Sequence, residues 1–170
     1  MATYLADTNL LLRMADPASP QHSIATQALA RLFSQGDEVY LTPQNFIEFW
    51  AVATRPVEAN GFGWTSERST KEVTELQERF PLLTDTPDIF TRWLKLVEQL
   101  PIHGKRVHDA RLVAVLQAHA VEHLITFNTS DFADRFHHAR FGLQHRLGRV
   151  LALAELRRGR AGHVERCVPR

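Results

Sequence analysis

Three short apolar runs set the limits on this chain: TYLA at Thr3–Ala6, EVYL at Glu38–Leu41 and HLITF at His123–Phe127. Each is too short for a buried helix and reads as a strand. Between them lie stretches whose apolar residues recur at helical spacing. One runs from Ser19-Pro20 to about Ser34, carrying Ile24, Ala25, Ala28, Leu29, Leu32 and Phe33. A second runs from Thr42-Pro43 through Thr54, with Phe46, Phe49, Trp50 and Ala53 as its apolar side. Others run from Ser66 to Phe80, from Thr86-Pro87 through Leu100, and from His108 through His119, while Leu82-Leu83 reads as a further short strand. Strands alternating with helices predict parallel crossovers, and so an α/β sandwich with helices on both faces of a central, mostly parallel sheet.

The chain has 170 residues, 44% hydrophobic and 23% charged, the composition of one ordinary globular domain rather than a disordered or fibrous protein. Its formal charge of +1 conceals a skew. Arg146, Arg149, Arg157, Arg158, Arg160, Arg166 and Arg170 crowd the last thirty positions, which leaves the remainder mildly acidic and unlike a tight, non-specific nucleic-acid binder. Cys167 is the one cysteine, so no intrachain disulfide and no thiolate zinc cage can form. With no signal-like start and no long apolar window, the expected setting is the cytoplasm, with no membrane contact.

Chemistry is concentrated in four acids. Asp7 closes the first strand in YLADTN, and in parallel sheets ligands bind beyond the carboxyl ends of strands. Asp131 follows the last strand in FNTSDF, Asp109 stands where a helix begins in VHDARLVAV, and Glu48 interrupts NFIEFW. Taken singly each has an ordinary reading. Glu48 falls opposite Phe46, Phe49 and Trp50, beside Gln44, as a solvent-facing residue would; Asp109 suits the helix macrodipole; Asp131 suits a turn or cap. Taken together they occur at element ends where a parallel sheet can gather them. Carboxylates brought to about 5 Å repel by about 3 kcal/mol per pair at an effective dielectric near 20, so such a cluster needs a cation or shared protons. Oxygen-only donors suit Mg²⁺ or Mn²⁺.

In order and spacing, YLADTN, TPQNFIEF, HDARLVAV and LITFNTSDF resemble the four acidic motifs of PIN-domain ribonucleases, especially VapC-type toxins of toxin–antitoxin modules. The resemblance covers residues 3 to about 136. The resemblance implies a PIN-like three-layer α/β/α sandwich over residues 1–142, whereas the arginine-rich tail over 143–170 departs from the family's short apolar last strand and reads as at most a helix from about Gln144 to Arg158, or as disordered. An alternative places a displaced last strand at Gly148 to Leu153. It also implies that Asp7, Glu48, Asp109 and Asp131 are catalytic and hold Mg²⁺ or Mn²⁺, with Asp7 and Asp109 as the direct ligands. Thr8, Asn9 and Asn128 would orient the acids or a phosphate, and Arg13 and Arg111 would contact substrate. The implied activity is metal-dependent hydrolysis of RNA, by a homodimer held in check by a cognate antitoxin. One alternative is a catalytically inactive PIN-like module that binds RNA or protein. Another is a zinc peptidase built on HAVEH, residues 119–123, which fits the inverted H-x-x-E-H motif but meets a predicted helix-to-strand break.

Overall fold

The computed structural model describes residues 1–129, 132 and 149–152. Four strands, β1 (Thr3–Ala6), β2 (Glu38–Tyr40), β3 (His123–Thr126) and β4 (Arg149–Ala152), form one sheet in the order β2-β1-β3-β4, with every pairing parallel. Among the described residues, six α-helices connect or flank them: α1 (Thr8–Ala15), α2 (His22–Ser34), α3 (Pro43–Ala53), α4 (Ser66–Arg79), α5 (Pro87–Gln99) and α6 (Arg106–His119).

The pleat divides the interior into two cores. Tyr4 and Ala6 of β1, Val39 of β2 and Ile125 of β3 face a cluster with Leu10, Leu11, Ala28, Leu29, Phe49 and Leu76, from α1 to α4. Leu5 and Leu124 alternate to the other face, packing on Ile89 and Leu96 of α5 and Leu112, Val115 and Leu116 of α6. The expected three-layer α/β/α sandwich is therefore present, and the strand runs look apolar throughout because both faces are covered. The chain Phe62-Gly63-Trp64 packs onto the first core, Trp64 lying edge-on to Phe49 at 6.1 Å with the Arg68 guanidinium 3.9 Å from its centroid.

Four local expectations are corrected. Helix α1 was not anticipated: Asp7 caps it, its side chain accepting from the Asn9 backbone N–H, so the apolar run Leu10-Leu11-Leu12 is helical. Helix α2 starts at His22, since Ser19-Pro20 form a turn in which the Ser19 carbonyl accepts from His22 N–H. The buried side of α3 is Gln44, Asn45, Phe49 and Ala53, and Trp50 is 36% exposed. Finally, Arg149–Ala152 is strand, as the alternative of a last strand at Gly148 to Leu153 has it, rather than part of a Gln144–Arg158 helix, so the sheet extends past residue 142. The remaining expectations for 143–170 lie outside the described residues. Leu82-Leu83 forms only a single bridge, Leu41 to Leu82.

Candidate active site

Strands β1 and β3 are neighbours, and their carboxyl ends carry the first half of the site. Register pairs Ala6 with Ile125, and the ladder continues one step as Asp7 N–H donates to the Ile125 carbonyl at 2.9 Å. The next side chains, Asp7 and Thr126, then meet: Thr126 Oγ1 donates to Asp7 Oδ2 at 2.6 Å. Asn9 Nδ2 donates to the same oxygen at 2.6 Å and to Thr126 Oγ1 at 2.9 Å, while Asn9 Oδ1 accepts from Phe127 N–H. Asp7 Oδ2 is thus filled. Among the described residues Asp7 Oδ1 receives only a long contact, 3.4 Å, from Asn9 N–H, and keeps a lone pair for another partner.

Helix α3 supplies the second carboxylate. Its N-terminus is held by a Thr42–Asn45 capping box, which points Asn45 inward to donate to the Ala6 carbonyl and to Thr8 Oγ1, both at 3.1 Å. Thr8 Oγ1 in turn donates to Glu48 Oε2 at 2.6 Å. On its other oxygen Glu48 accepts from Gln44 Nε2 at 2.8 Å and faces His108 Nδ1 at 3.4 Å. Glu48 is accordingly half-buried and turned toward Asp7, not set on the solvent face. The third carboxylate, Asp109, sits in the first turn of α6.

These charges are felt. Burial pushes the Asp7 carboxyl up from 3.8 to about 6, against the Thr126 and Asn9 hydrogen bonds, and the negative charges of Asp109 and Glu48 push it further up. Asp131, the fourth predicted acid, lies outside the described residues. Among the described residues no three or more His, Cys, Asp or Glu side chains stand at full ligand spacing. A hard cation such as Mg²⁺ keeps several waters and takes one or two protein carboxylates. A buried carboxylate with one open oxygen and two anionic neighbours, in an oxygen-only donor set, suits such an ion.

The PIN-domain model matches residues 4–136. The chain belongs to the PIN-domain family. No curated protein sequence matches the chain. Solved PIN structures do. The DNA-bound VapBC complex of Salmonella typhimurium superposes with a TM-score of 0.61 at 13% identity, covering 90% of this chain and 99% of that one. VapBC2 of Rickettsia felis, bound to promoter DNA, gives 0.59 at 12% identity over 78% and 92% of the two chains. VapC20 of Mycobacterium tuberculosis, a toxin that cleaves the sarcin-ricin loop, gives 0.56 at 16% identity over 77% and 94%. At these identities the likeness is one of fold.

Within this PIN fold, the sequence-predicted residues divide. Asp7, Thr8, Asn9 and Glu48 share one hydrogen-bonded edge, and Asp109 acts on it electrostatically. Asn128 is exposed and joins only through its backbone, its N–H donating to Thr126 Oγ1 at 2.9 Å. Arg13 lies one turn beyond Asn9, its carbonyl accepting from His22 Nδ1, and no hydrogen bond from its buried Nε is made. Arg111 donates to Gln44 Oε1 at 3.0 Å and to Asp85 Oδ1 at 2.6 Å. The zinc reading fails. Ala120 turns to φ 53° at the end of α6, so His119 is spent on the Thr84 carbonyl while His123 lies in β3 against the Tyr4 ring.

Thr126, fully buried, is the residue that sequence reasoning missed. Its only sequence signal is a hydroxyl inside the otherwise apolar HLITF. Thr126→Val keeps the shape but takes from Asp7 Oδ2 one of its two donors, from Asn9 Nδ2 one of its two acceptors, and from the Asn128 N–H its acceptor. A loss of about 1–3 kcal/mol in stability is expected in denaturant melts.

Proposed function

We propose that this PIN domain is a divalent-metal-dependent endoribonuclease and the toxin of a toxin–antitoxin pair. The observation that carries the reading is the setting of Asp7: a buried carboxylate whose pKa is raised by its burial and by the charges of Glu48 and Asp109, with one oxygen left open. Mg²⁺ or Mn²⁺ would be held by Asp7 Oδ1 and Asp109, with Glu48 and Asp131 completing the acidic set. Bound there, such an ion acidifies a water and neutralises charge on the phosphodiester.

The chain's own side chains prepare that chemistry. Asn9 and Thr126 lock Asp7 in one orientation, and Thr8 and Gln44 lock Glu48, so neither carboxylate must reorganise as charge develops. His108 stands exposed at the rim beside Glu48. Lys105 and Arg106, exposed at the start of α6, make no ion pair among the described residues and would pair with RNA phosphates in this reading. No covalent nucleophile is required.

The VapBC complexes that share this fold support an antitoxin partner; a homodimer is part of the same proposal on the family resemblance alone. Ile47 and Trp50 on α3, and Phe90 and Leu94 on α5, are exposed large apolar side chains of the kind such partners cover. Among the described residues no helix is long and apolar enough to cross a membrane. The test is incubation of purified protein with total RNA in Mn²⁺, in Mg²⁺ and in EDTA, with cleaved ends mapped by sequencing. Discrete cuts that vanish in EDTA are expected; cleavage unaffected by EDTA, or absent throughout, refutes the assignment.

A further inference from the structure

Glu48 is the least rigidly placed of the acids on general grounds, since its longer side chain has one more rotatable bond than aspartate. The structure removes that freedom through a path that leaves the site. Gln44, 6% exposed, spends Nε2 on Glu48 Oε1 at 2.8 Å and on the His108 carbonyl at 3.0 Å. Its Oε1 accepts from Arg111 Nη1, and Arg111 Nη2 is anchored on Asp85 just before α5. The amide of Gln44 could point either way. Glu48 and the His108 carbonyl, which can only accept, draw Nε2 inward, and Arg111 reinforces that choice, because a guanidinium offers only donors and holds Oε1 outward.

We propose that Asp85, Arg111 and Gln44 form a positioning relay that aims Glu48 into the acidic site and sets how tightly the site closes on a divalent cation. The inference rests on the metal-dependent reading above. The Arg111–Asp85 pair is partly exposed, with side chains 27% and 52% accessible, so by itself it adds little to stability. Its value is geometric. Lysine cannot replace arginine here, since a single ammonium lacks the fork that reaches both Asp85 and Gln44 at once.

The test is Mn²⁺ binding by titration calorimetry on the metal-free protein, alongside thermal melts and RNA cleavage. Arg111→Met and Arg111→Lys are expected to weaken Mn²⁺ binding by about 10-fold, within the range for outer-sphere partners of a metal site. Gln44→Ala should do the same, and Gln44→Ala/Arg111→Met no worse than Gln44→Ala alone, because both act along one path. A purely structural role would lower the melting temperature and leave Mn²⁺ affinity unchanged. Unchanged affinity in both Arg111 variants, or additive losses in the double variant, overturns the relay. Wild-type protein that binds no Mn²⁺ overturns the relay and the metal-dependent reading together.

Discussion

Asp7→Asn is expected to abolish RNA cleavage while leaving the chain folded. The substitution removes the charge from the buried carboxylate that carries an open oxygen at this site, and an amide oxygen holds a hard cation far less tightly than a carboxylate. The loss should exceed about 100-fold, the upper end of what removing an outer hydrogen bond costs a metal site. Asp109→Asn is expected to behave alike. Initial rates on a defined RNA at saturating Mn²⁺, with circular dichroism to verify folding, measure the effect. Either variant keeping wild-type rates would remove its residue from the catalytic set.

The same substitution should stabilise the metal-free protein, and only at high pH. Asp7 titrates near 6 in the folded chain against 3.8 ordinarily, so the folded state holds this proton more tightly than the unfolded state does. Its contribution therefore favours folding at low pH, declines as pH rises from about 4, and above about 6 amounts to a penalty of about 3 kcal/mol. Asparagine escapes the penalty but forfeits part of the Asn9 hydrogen bonding, worth about 1 kcal/mol. In EDTA at pH 8, Asp7→Asn is expected to melt about 4–8 °C above wild type. At pH 4 the difference should vanish or reverse. Adding Mn²⁺ at pH 8 should raise the wild-type melting temperature and leave the variant where it was. A variant no more stable than wild type at pH 8 would mean that the charge on Asp7 is not destabilising.

The strands were legible because burial on both faces makes TYLA, EVY and HLIT apolar throughout. Helix α1 was not, since Leu10-Leu11-Leu12 continues the apolar run of β1 and only the Asp7 cap marks the change of period. Helix α3 misled for a related reason. Its inward positions Gln44 and Asn45 are polar, serving the site rather than the core, while Trp50 faces out, so the apolar stripe points the wrong way. Strand β4 lies in a sequence with helical spacing, and pairing with the open edge of β3 overrides that local preference. The acids themselves could be named from their positions at element ends. Their holders could not: Thr126 meets Asp7 across 119 residues and Gln44 meets Arg111 across 67, contacts fixed by register and packing that no local pattern encodes.

That separation has a consequence during synthesis. β1 leaves the ribosome first yet sits inside the sheet, between β2 and β3, and its carboxyl end is completed by Thr126. At translation speeds of about 5–20 residues per second, some 6–24 s pass between the appearance of Asp7 and that of its partner. A nascent polypeptide that stops short of β3 holds its acids unassembled, so the emerging chain carries no organised centre next to the messenger and ribosome that are producing it.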